Sequence, residues 1–75
     1  MKTLSITGPY IELYKILKLE NLAASGGEAK YLISEGLVRV NGLVETRKRR
    51  KTAAGDLVEV NGEQIMIVAR SQGSR

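Results

Sequence analysis

Apolar positions follow a helical period in the first half of the chain and a strand period in the second. Apolar residues three and four apart predict a first helix over residues 10–19. The face that they form, which we expect to pack in the core, comprises Tyr10, Leu13, Ile16 and Leu17. Gly8-Pro9 breaks the chain before it, and Pro9 suits the first turn of a helix, where its missing N–H costs nothing. Residues 2–6 alternate and predict a short edge strand.

A second helix is predicted to begin after Ser25. Ser25 followed three residues later by Glu28 is the capping-box pattern, in which each side chain pairs with a backbone N–H at the helix start. A narrow core face follows, made by Ala29, Leu32 and Ile33. Gly36 suits the end of this helix. Tyr31 projects roughly opposite the core face, so we expect it to be exposed.

The chain then turns to β structure with a first hairpin. Asn41-Gly42 separates two apolar stretches, residues 37–40 and 43–45, and predicts a type I′ turn between two strands. Pairing about this turn puts Arg39 opposite Val44. Because the valines beside Arg39 are typical of a core, Arg39 is expected to point out of the sheet.

A second hairpin follows a charged connection. Residues 46–54, here called the basic loop, lead to a turn at Gly55-Asp56. Residues 57–60 and 64–68 alternate on either side of Asn61-Gly62 and predict two further strands. The inner face of this hairpin is expected to hold Val58, Val60, Ile65 and Ile67, with Glu59 and Gln64 outside.

These elements predict an α+β fold, with two helices packed on a small, mostly antiparallel sheet that contains two hairpins. The 75 residues suit one domain, over residues 1–69, with a flexible C-terminal tail at residues 70–75. No apolar run approaches the roughly 20 residues of a membrane span. The absence of cysteine removes the disulfides that small secreted domains usually need, which favours the cytoplasm.

The composition argues against an enzyme. The chain has neither histidine nor cysteine, which removes the commonest general base, the usual nucleophile–base pairs and nearly all zinc sites. It also lacks the two common glycine-rich phosphate loops. We therefore expect no catalytic residue, no metal, no cofactor and no small-molecule substrate.

Charge points to a polyanionic partner. Lys and Arg total 12 against 8 Asp and Glu, for a net charge of +4. Five of these cations are consecutive, Arg47-Lys48-Arg49-Arg50-Lys51, and no acid lies between Glu45 and Asp56. Such a run disfavours order without a counter-charge, which a nucleic-acid backbone supplies. The alternative is a solvated loop whose charges protect the neighbouring strands from aggregation.

The second helix offers further candidate contacts. Its N-terminal N–H groups can bind a phosphate, and Gly26 and Gly27 permit close approach. Lys30 lies one turn along, and Tyr31 is placed to stack on an unpaired base. The alternative is an ordinary capped helix with a surface tyrosine. Asn41 is primarily a turn residue.

Three segments together resemble the RNA-binding domain named after ribosomal small-subunit protein S4. They are residues 25–30 (Ser-Gly-Gly-Glu-Ala-Lys), 35–42 (Glu-Gly-Leu-Val-Arg-Val-Asn-Gly) and 55–60 (Gly-Asp-Leu-Val-Glu-Val). The resemblance covers residues 12–60 and is similar in detail to short stand-alone bacterial members. It implies the αL motif, in which helix two and the hairpin region present a surface for structured RNA, frequently ribosomal RNA.

The chain departs from this pattern at three positions. Glu12 and Tyr14 stand where the family often has Arg and Asp, and Gly26 stands where it has Arg. The family arginines are expected phosphate contacts. We therefore expect residues 47–51 to carry more of the binding than in a typical relative.

The sequence thus predicts a non-catalytic protein that recognises structured RNA, either ribosomal RNA or tRNA, through helix two, the first hairpin and the basic loop. The expected RNA contacts are Lys30, Arg39, Asn41, Arg47, Lys48, Arg49, Arg50 and Lys51. Secondary contacts are expected from Lys15, Lys18, Gly26, Gly27 and Tyr31. The alternative function is an interaction module for an acidic partner, such as a ribosome-associated protein. We expect a monomer.

Overall fold

Two helices and seven short strands make up residues 1–70, the part of the chain that the computed structural model describes. In chain order the elements are β1 (Lys2–Ile6), β2 (Ile11–Glu12), α1 (Leu13–Leu19), α2 (Gly26–Ser34), β3 (Val38–Val40), β4 (Leu43–Val44), β5 (Lys51–Thr52), β6 (Leu57–Val60) and β7 (Glu63–Ala69). No helix in this part of the chain is long and apolar enough to cross a membrane.

The main sheet has five strands in the order β1-β7-β6-β3-β4. Its pairs are antiparallel except β1 with β7, which is parallel. The predicted α+β fold with a mostly antiparallel sheet is confirmed, as is the edge position of the first strand. Arg39 lies opposite Val44, as the turn at Asn41-Gly42 predicted.

Both hairpin turns have the backbone that their sequences predict. Asn41 and Gly42 have φ angles of 54° and 85°, and Asn61 and Gly62 have φ angles of 53° and 76°. Two consecutive residues with positive φ are the requirement of a type I′ turn, which matches the twist of the strands that it joins. These turns fix the register of β3–β4 and β6–β7.

The core lies between the helices and one face of the main sheet. The helices bury Leu13, Ile16, Leu17, Ala29 and Ile33, and the sheet buries Val38, Val40, Val58, Val60, Ile65 and Ile67. The four residues predicted for the inner face of the second hairpin are all among them. Glu59 and Gln64 lie outside and hydrogen-bond to each other, at 3.1 Å.

Helix α1 begins three residues later than its sequence predicts. Ile11 and Glu12 form β2, which pairs antiparallel with β5 in a separate two-stranded sheet. Tyr10 is 43% exposed and does not belong to the core face of α1, and Pro9 precedes β2 rather than starting the helix. Periodicity cannot detect this pairing because the partner strand lies about 40 residues away along the chain.

The C-terminal end of the described chain continues the sheet contacts. The Arg70 N–H donates to the Ile6 carbonyl at 2.8 Å, so Arg70, which was predicted to begin the flexible tail, is attached to β1. The rest of that predicted tail, residues 71–75, lies outside the described residues.

Candidate nucleic-acid interface

The basic loop caps the N-terminus of α1 through its backbone. The first N–H groups of a helix have no partner within the helix. Here the Leu13 N–H donates to the Arg50 carbonyl at 3.0 Å, and the Tyr14 N–H donates to the Lys48 carbonyl at 3.1 Å. Thr52 is fully buried, and its hydroxyl donates to the Arg50 carbonyl at 3.2 Å. The loop is therefore attached to the folded domain by its backbone and by Thr52, although most of its side chains are exposed.

Glu45 holds two arginines of the basic loop. Arg47 donates to its carboxylate from the backbone N–H, Nε and Nη2, each at 2.9 Å, and Arg50 Nε lies 3.1 Å from Oε1. The hydrogen bonds from the Arg47 side chain, together with the charges of both arginines, outweigh desolvation and lower the pKa of Glu45 from 4.5 to about 2. Glu45 is therefore ionised and bound at neutral pH.

Asp56 ties the basic loop to the first hairpin. Its Oδ2 accepts from the Ala53 N–H at 2.9 Å and from Arg50 Nη1 at 3.3 Å, and its Oδ1 accepts from Asn41 Nδ2 at 3.0 Å. Partial burial alone would raise the pKa of Asp56, but these hydrogen bonds and the charge of Arg50 lower it. Asn41 Oδ1 in turn accepts from the Leu57 N–H at 2.9 Å.

These contacts correct the view that the basic loop lacks a counter-charge. The acids at its two boundaries order it, although none lies within the run itself. The Arg50 side chain is only 23% exposed and lies between both acids. The five cations predicted to act alike therefore divide into two groups. Arg47 and Arg50 are bound by Glu45 and Asp56 at 2.9 to 3.3 Å. Lys48, Arg49 and Lys51 are exposed; Arg49 makes a longer ion pair with Glu12 at 3.6 Å, and the two lysines make none within residues 1–70.

Tyr14 brings together cations from three segments that are distant in the sequence. Its ring centroid lies 4.7 Å from Lys30 Nζ of α2, 5.6 Å from Arg49 Cζ of the basic loop and 6.0 Å from Lys15 Nζ of α1. Distances of up to about 6 Å fall within the range of cation–π attraction. We call these three cations and Tyr14 the Tyr14 cluster.

A second tyrosine lies against the same loop. The ring centroid of Tyr10 is 5.1 Å from Lys51 Nζ. Sequence reasoning missed both tyrosines, because it placed Tyr10 in the core and noted Tyr14 only as a departure from a pattern. The available signal was that Tyr14 lies outside the core face predicted for the first helix and directly precedes Lys15.

The start of α2 lies beside the Tyr14 cluster. A Cβ on Gly26 would be 3.9 Å from Tyr14 Cε2 and 3.8 Å from Lys18 Cδ. The Ser25 hydroxyl accepts from the Glu28 N–H at 3.1 Å, and Glu28 Oε1 accepts from the Ala24 N–H. The capping pair is confirmed, with the return bond made one residue before Ser25. Two further candidates on this helix, Gly27 and Tyr31, are exposed, as predicted for Tyr31.

The two candidates from the first hairpin are placed differently. Arg39 lies on the sheet face that the helices leave open, because its neighbours Val38 and Val40 are buried on the other face. Its cross-strand neighbours are Val44 and Glu59, and no hydrogen bond or ion pair within residues 1–70 joins it to the basic loop. Asn41 uses its side chain within the protein. RNA contact by either residue stays a prediction.

Glu45 and Asp56, the acids on either side of the basic loop, are expected to make the stability of the fold depend on pH. Because the folded pKa of Glu45 is below its ordinary value of 4.5, its contribution is complete above about pH 5 and lost as the pH falls towards about 2. Asp56 acts in the same direction. We expect the thermal midpoint, followed by circular dichroism, to fall steeply across this range. Glu45→Gln should lower the midpoint at neutral pH and flatten the acid dependence; equal midpoints of the unsubstituted protein at about pH 3 and pH 6 would contradict this.

Comparison with known proteins identifies relatives along most of the chain. The family model described as "S4 domain" matches residues 4–68. "Putative RNA-binding protein YbcJ" of Escherichia coli is 49% identical over 61 residues, which cover 81% of this chain and 87% of that protein. "Probable ribosome maturation protein RlbA" of Bacillus subtilis is 42% identical over 59 residues, which cover 79% of this chain and 83% of that protein.

Solved structures agree with the fold. The solution structure of YbcJ from E. coli, described as revealing an αL motif involved in RNA binding, matches with a TM-score of 0.72 and 47% identity. The match covers 92% of this chain and 89% of YbcJ. The crystal structure of 30S ribosomal protein S4e from Thermoplasma acidophilum matches with a TM-score of 0.65 and 26% identity, covering 91% of this chain and 36% of that protein.

Proposed function

Because the chain belongs to the S4 domain family, we propose that it binds structured RNA, either ribosomal RNA or tRNA, through one surface. This surface is formed by the start of α1, the start of α2 and the basic loop. The observation that carries the proposal is the Tyr14 cluster, in which cations of all three segments meet at the protein surface. Several phosphates along a folded RNA can contact such a surface at once. Each phosphate that a cation neutralises releases condensed counterions, and this release favours binding.

The relatives support the choice of RNA. One carries the name "Putative RNA-binding protein YbcJ", and the other the name "Probable ribosome maturation protein RlbA". A role beside ribosomal RNA follows most directly from the second name. We further propose that the protein acts as a monomer in the cytoplasm and without catalysis. The absence of Cys favours the cytoplasm, and the absence of both His and Cys argues against catalysis.

Among the proposed contacts we give Lys30, Lys48, Arg49 and Lys51 the main part. The three lysines make no ion pair within residues 1–70, and the ion pair of Arg49 with Glu12 is longer, at 3.6 Å, than those of Arg47 and Arg50. Lys15 and Lys18 flank them on α1, and Gly26 lies between Lys18 and Tyr14.

Four other predicted RNA contacts are expected to contribute less to binding. Arg47 and Arg50 mainly order the loop, since Glu45 and Asp56 take up their charge. Arg39 lies on the open face of the sheet, and Asn41 is hydrogen-bonded within the protein.

Binding measured across a salt series tests this function. With roughly four to six phosphate contacts, the logarithm of the affinity for an RNA stem-loop should fall against log salt with a slope of about −3 to −5. A single-stranded RNA of the same length and the duplex DNA of the same stem serve as comparisons and should bind more weakly. A slope near zero, or equal binding of all three, would contradict the proposal.

A protein partner, which the basic charge of the chain predicts to be acidic, is the second candidate, and one observation favours a protein interface. Leu37, Leu43 and Val44 are 52%, 74% and 55% exposed around the edge strand β4. Apolar side chains of this kind are common at the centre of protein interfaces. Affinity capture from a lysate with and without complete RNA digestion separates the two functions. A partner bound equally in both cases would favour the protein, whereas loss of the partner would favour RNA.

A further inference from the structure

Two kinds of side chain order the cations of the proposed surface. Arg47 and Arg50 are held by the carboxylates of Glu45 and Asp56, at 2.9 to 3.3 Å. Lys30 and Arg49 instead lie over the ring of Tyr14. A carboxylate neutralises the cation that it binds, whereas an aromatic ring is uncharged and attracts the cation through its quadrupole. A cation held by a ring therefore keeps its full charge for an RNA phosphate.

From this difference we infer that Tyr14 is the positioning residue of the RNA-binding surface, a role that rests on the function proposed above. It holds Lys30 and Arg49 in place without neutralising them; Lys30 has no ion pair within residues 1–70, whereas Arg49 also has Glu12 at 3.6 Å. Tyr14 is itself held at the junction of three segments. Its N–H donates to the Lys48 carbonyl at 3.1 Å, and its ring is half-buried beside Gly26.

Three more charged side chains lie near the Tyr14 cluster or belong to it: Glu12, Lys15 and Lys18, the last beside Gly26 together with the ring. Glu12 lies 3.6 Å from both Lys15 Nζ and Arg49 Nη1, longer than the 2.7 to 2.9 Å of a strong charged hydrogen bond. Lys15 is at 6.0 Å, the outer limit of the cation–π range. Lys30 makes no ion pair within residues 1–70. The effect of Tyr14 is therefore expected to act mainly through Lys30, and partly through Arg49.

Positioning of this kind lowers the cost of binding. A lysine or arginine that is already ordered loses less rotamer freedom when it meets a phosphate. Removing the attraction of the ring for two such side chains should weaken RNA binding by about 10-fold. The number of phosphate contacts is unchanged, so the salt slope should stay nearly the same.

Two rings of similar shape and opposite quadrupole test the role of Tyr14. Tyr14→Phe keeps the negative ring face, and we expect its RNA affinity to stay within about 2-fold of the unsubstituted protein. Pentafluorophenylalanine at position 14 keeps the ring shape but reverses the charge distribution of the face, and we expect the 10-fold loss. Equal affinity of these two variants would overturn the inference.

Two further measurements separate positioning from a loss of fold. In the free protein, the ring current of Tyr14 should shift the ε-methylene protons of Lys30. This shift should persist in Tyr14→Phe and vanish in Tyr14→Leu. Thermal unfolding should show that the Phe, Leu and pentafluorophenylalanine variants are all folded at the assay temperature. If the fluorinated variant does not fold, Tyr14→Leu takes its place in the affinity comparison, and an affinity equal to that of Tyr14→Phe would overturn the inference.

A double-mutant cycle then tests whether the effect passes through Lys30. In a Lys30→Ala background, loss of the ring should cost clearly less than in the unsubstituted protein. An equal cost in both backgrounds would overturn the role of Lys30. Absence of RNA binding by the unsubstituted protein would instead refute the proposed function. RNA binding with the same affinity for every side chain at position 14 would refute only the role of Tyr14.

Discussion

Replacing Lys48 and Lys51 together by alanine is expected to weaken binding to an RNA stem-loop by about 25-fold at 0.15 M salt. Each phosphate contact contributes a salt slope of about 0.9, which at this concentration corresponds to about 5-fold in affinity. The log–log slope should become shallower by about 2. Both lysines lie on the basic loop without a close carboxylate, so their loss removes charge from the surface and leaves the acid-bound arginines in place.

The chain offers a control of matched charge. Lys2→Glu also lowers the net charge by two, and Lys2 lies on the edge strand β1, opposite Ile65 and 3.5 Å from Glu63. Because no ion pair within residues 1–70 joins Lys2 to the basic loop, we expect this variant to lose less than about 3-fold in affinity. Equal losses from Lys2→Glu and from the double lysine variant would show that net charge alone, rather than this surface, governs binding.

Asp56→Ala is expected to destabilise the fold by about 3 kcal/mol, since it removes the acceptor of three hydrogen bonds and leaves Arg50 with one acid. For a domain of this size the thermal midpoint should fall by about 10 to 20 °C. The loss is large because Asp56 joins the basic loop to the Asn41-Gly42 turn, and through Arg50 to Glu45. Thermal unfolding by circular dichroism measures it.

Two further variants serve as controls for the loss of stability in Asp56→Ala. Asp56→Asn keeps one oxygen acceptor without the charge, so we expect it to lose about half as much stability. Glu59→Ala removes an exposed hydrogen bond to Gln64 on the open face of the sheet, and it should change stability by less than about 0.5 kcal/mol. If Asp56→Ala and Glu59→Ala were equally mild, Asp56 would not organise the loop.

Local patterns in the sequence predicted most of the fold. The Asn-Gly turns predicted both hairpins, with alternation clear only around the second, because backbone conformation and strand pairing there depend on neighbouring residues. The capping pair at Ser25 and Glu28 likewise predicted the start of α2. The early start assigned to the first helix was wrong, because the pairing of Ile11 and Glu12 with β5 depends on residues far along the chain.

The candidate site was less predictable for the same reason. The sequence showed the cations, but it did not show which of them are bound by acids and which are available to RNA. Whether Arg50 is paired or available depends on Glu45 and Asp56, which are brought together only by the folded loop. The meeting of Lys30 and Arg49 over Tyr14 depends on the packing of α1 against α2, which no local pattern contains.

The most direct test is an NMR titration of the isotope-labelled protein with an RNA stem-loop. The proposed function predicts that amide and side-chain signals change at the start of α1, around Gly26 and Lys30, and along residues 46–51. Signals of the open sheet face away from Arg39, such as those of Thr3 and Met66, should stay unchanged. Changes centred on that open face, or no change at saturating RNA, would contradict the account.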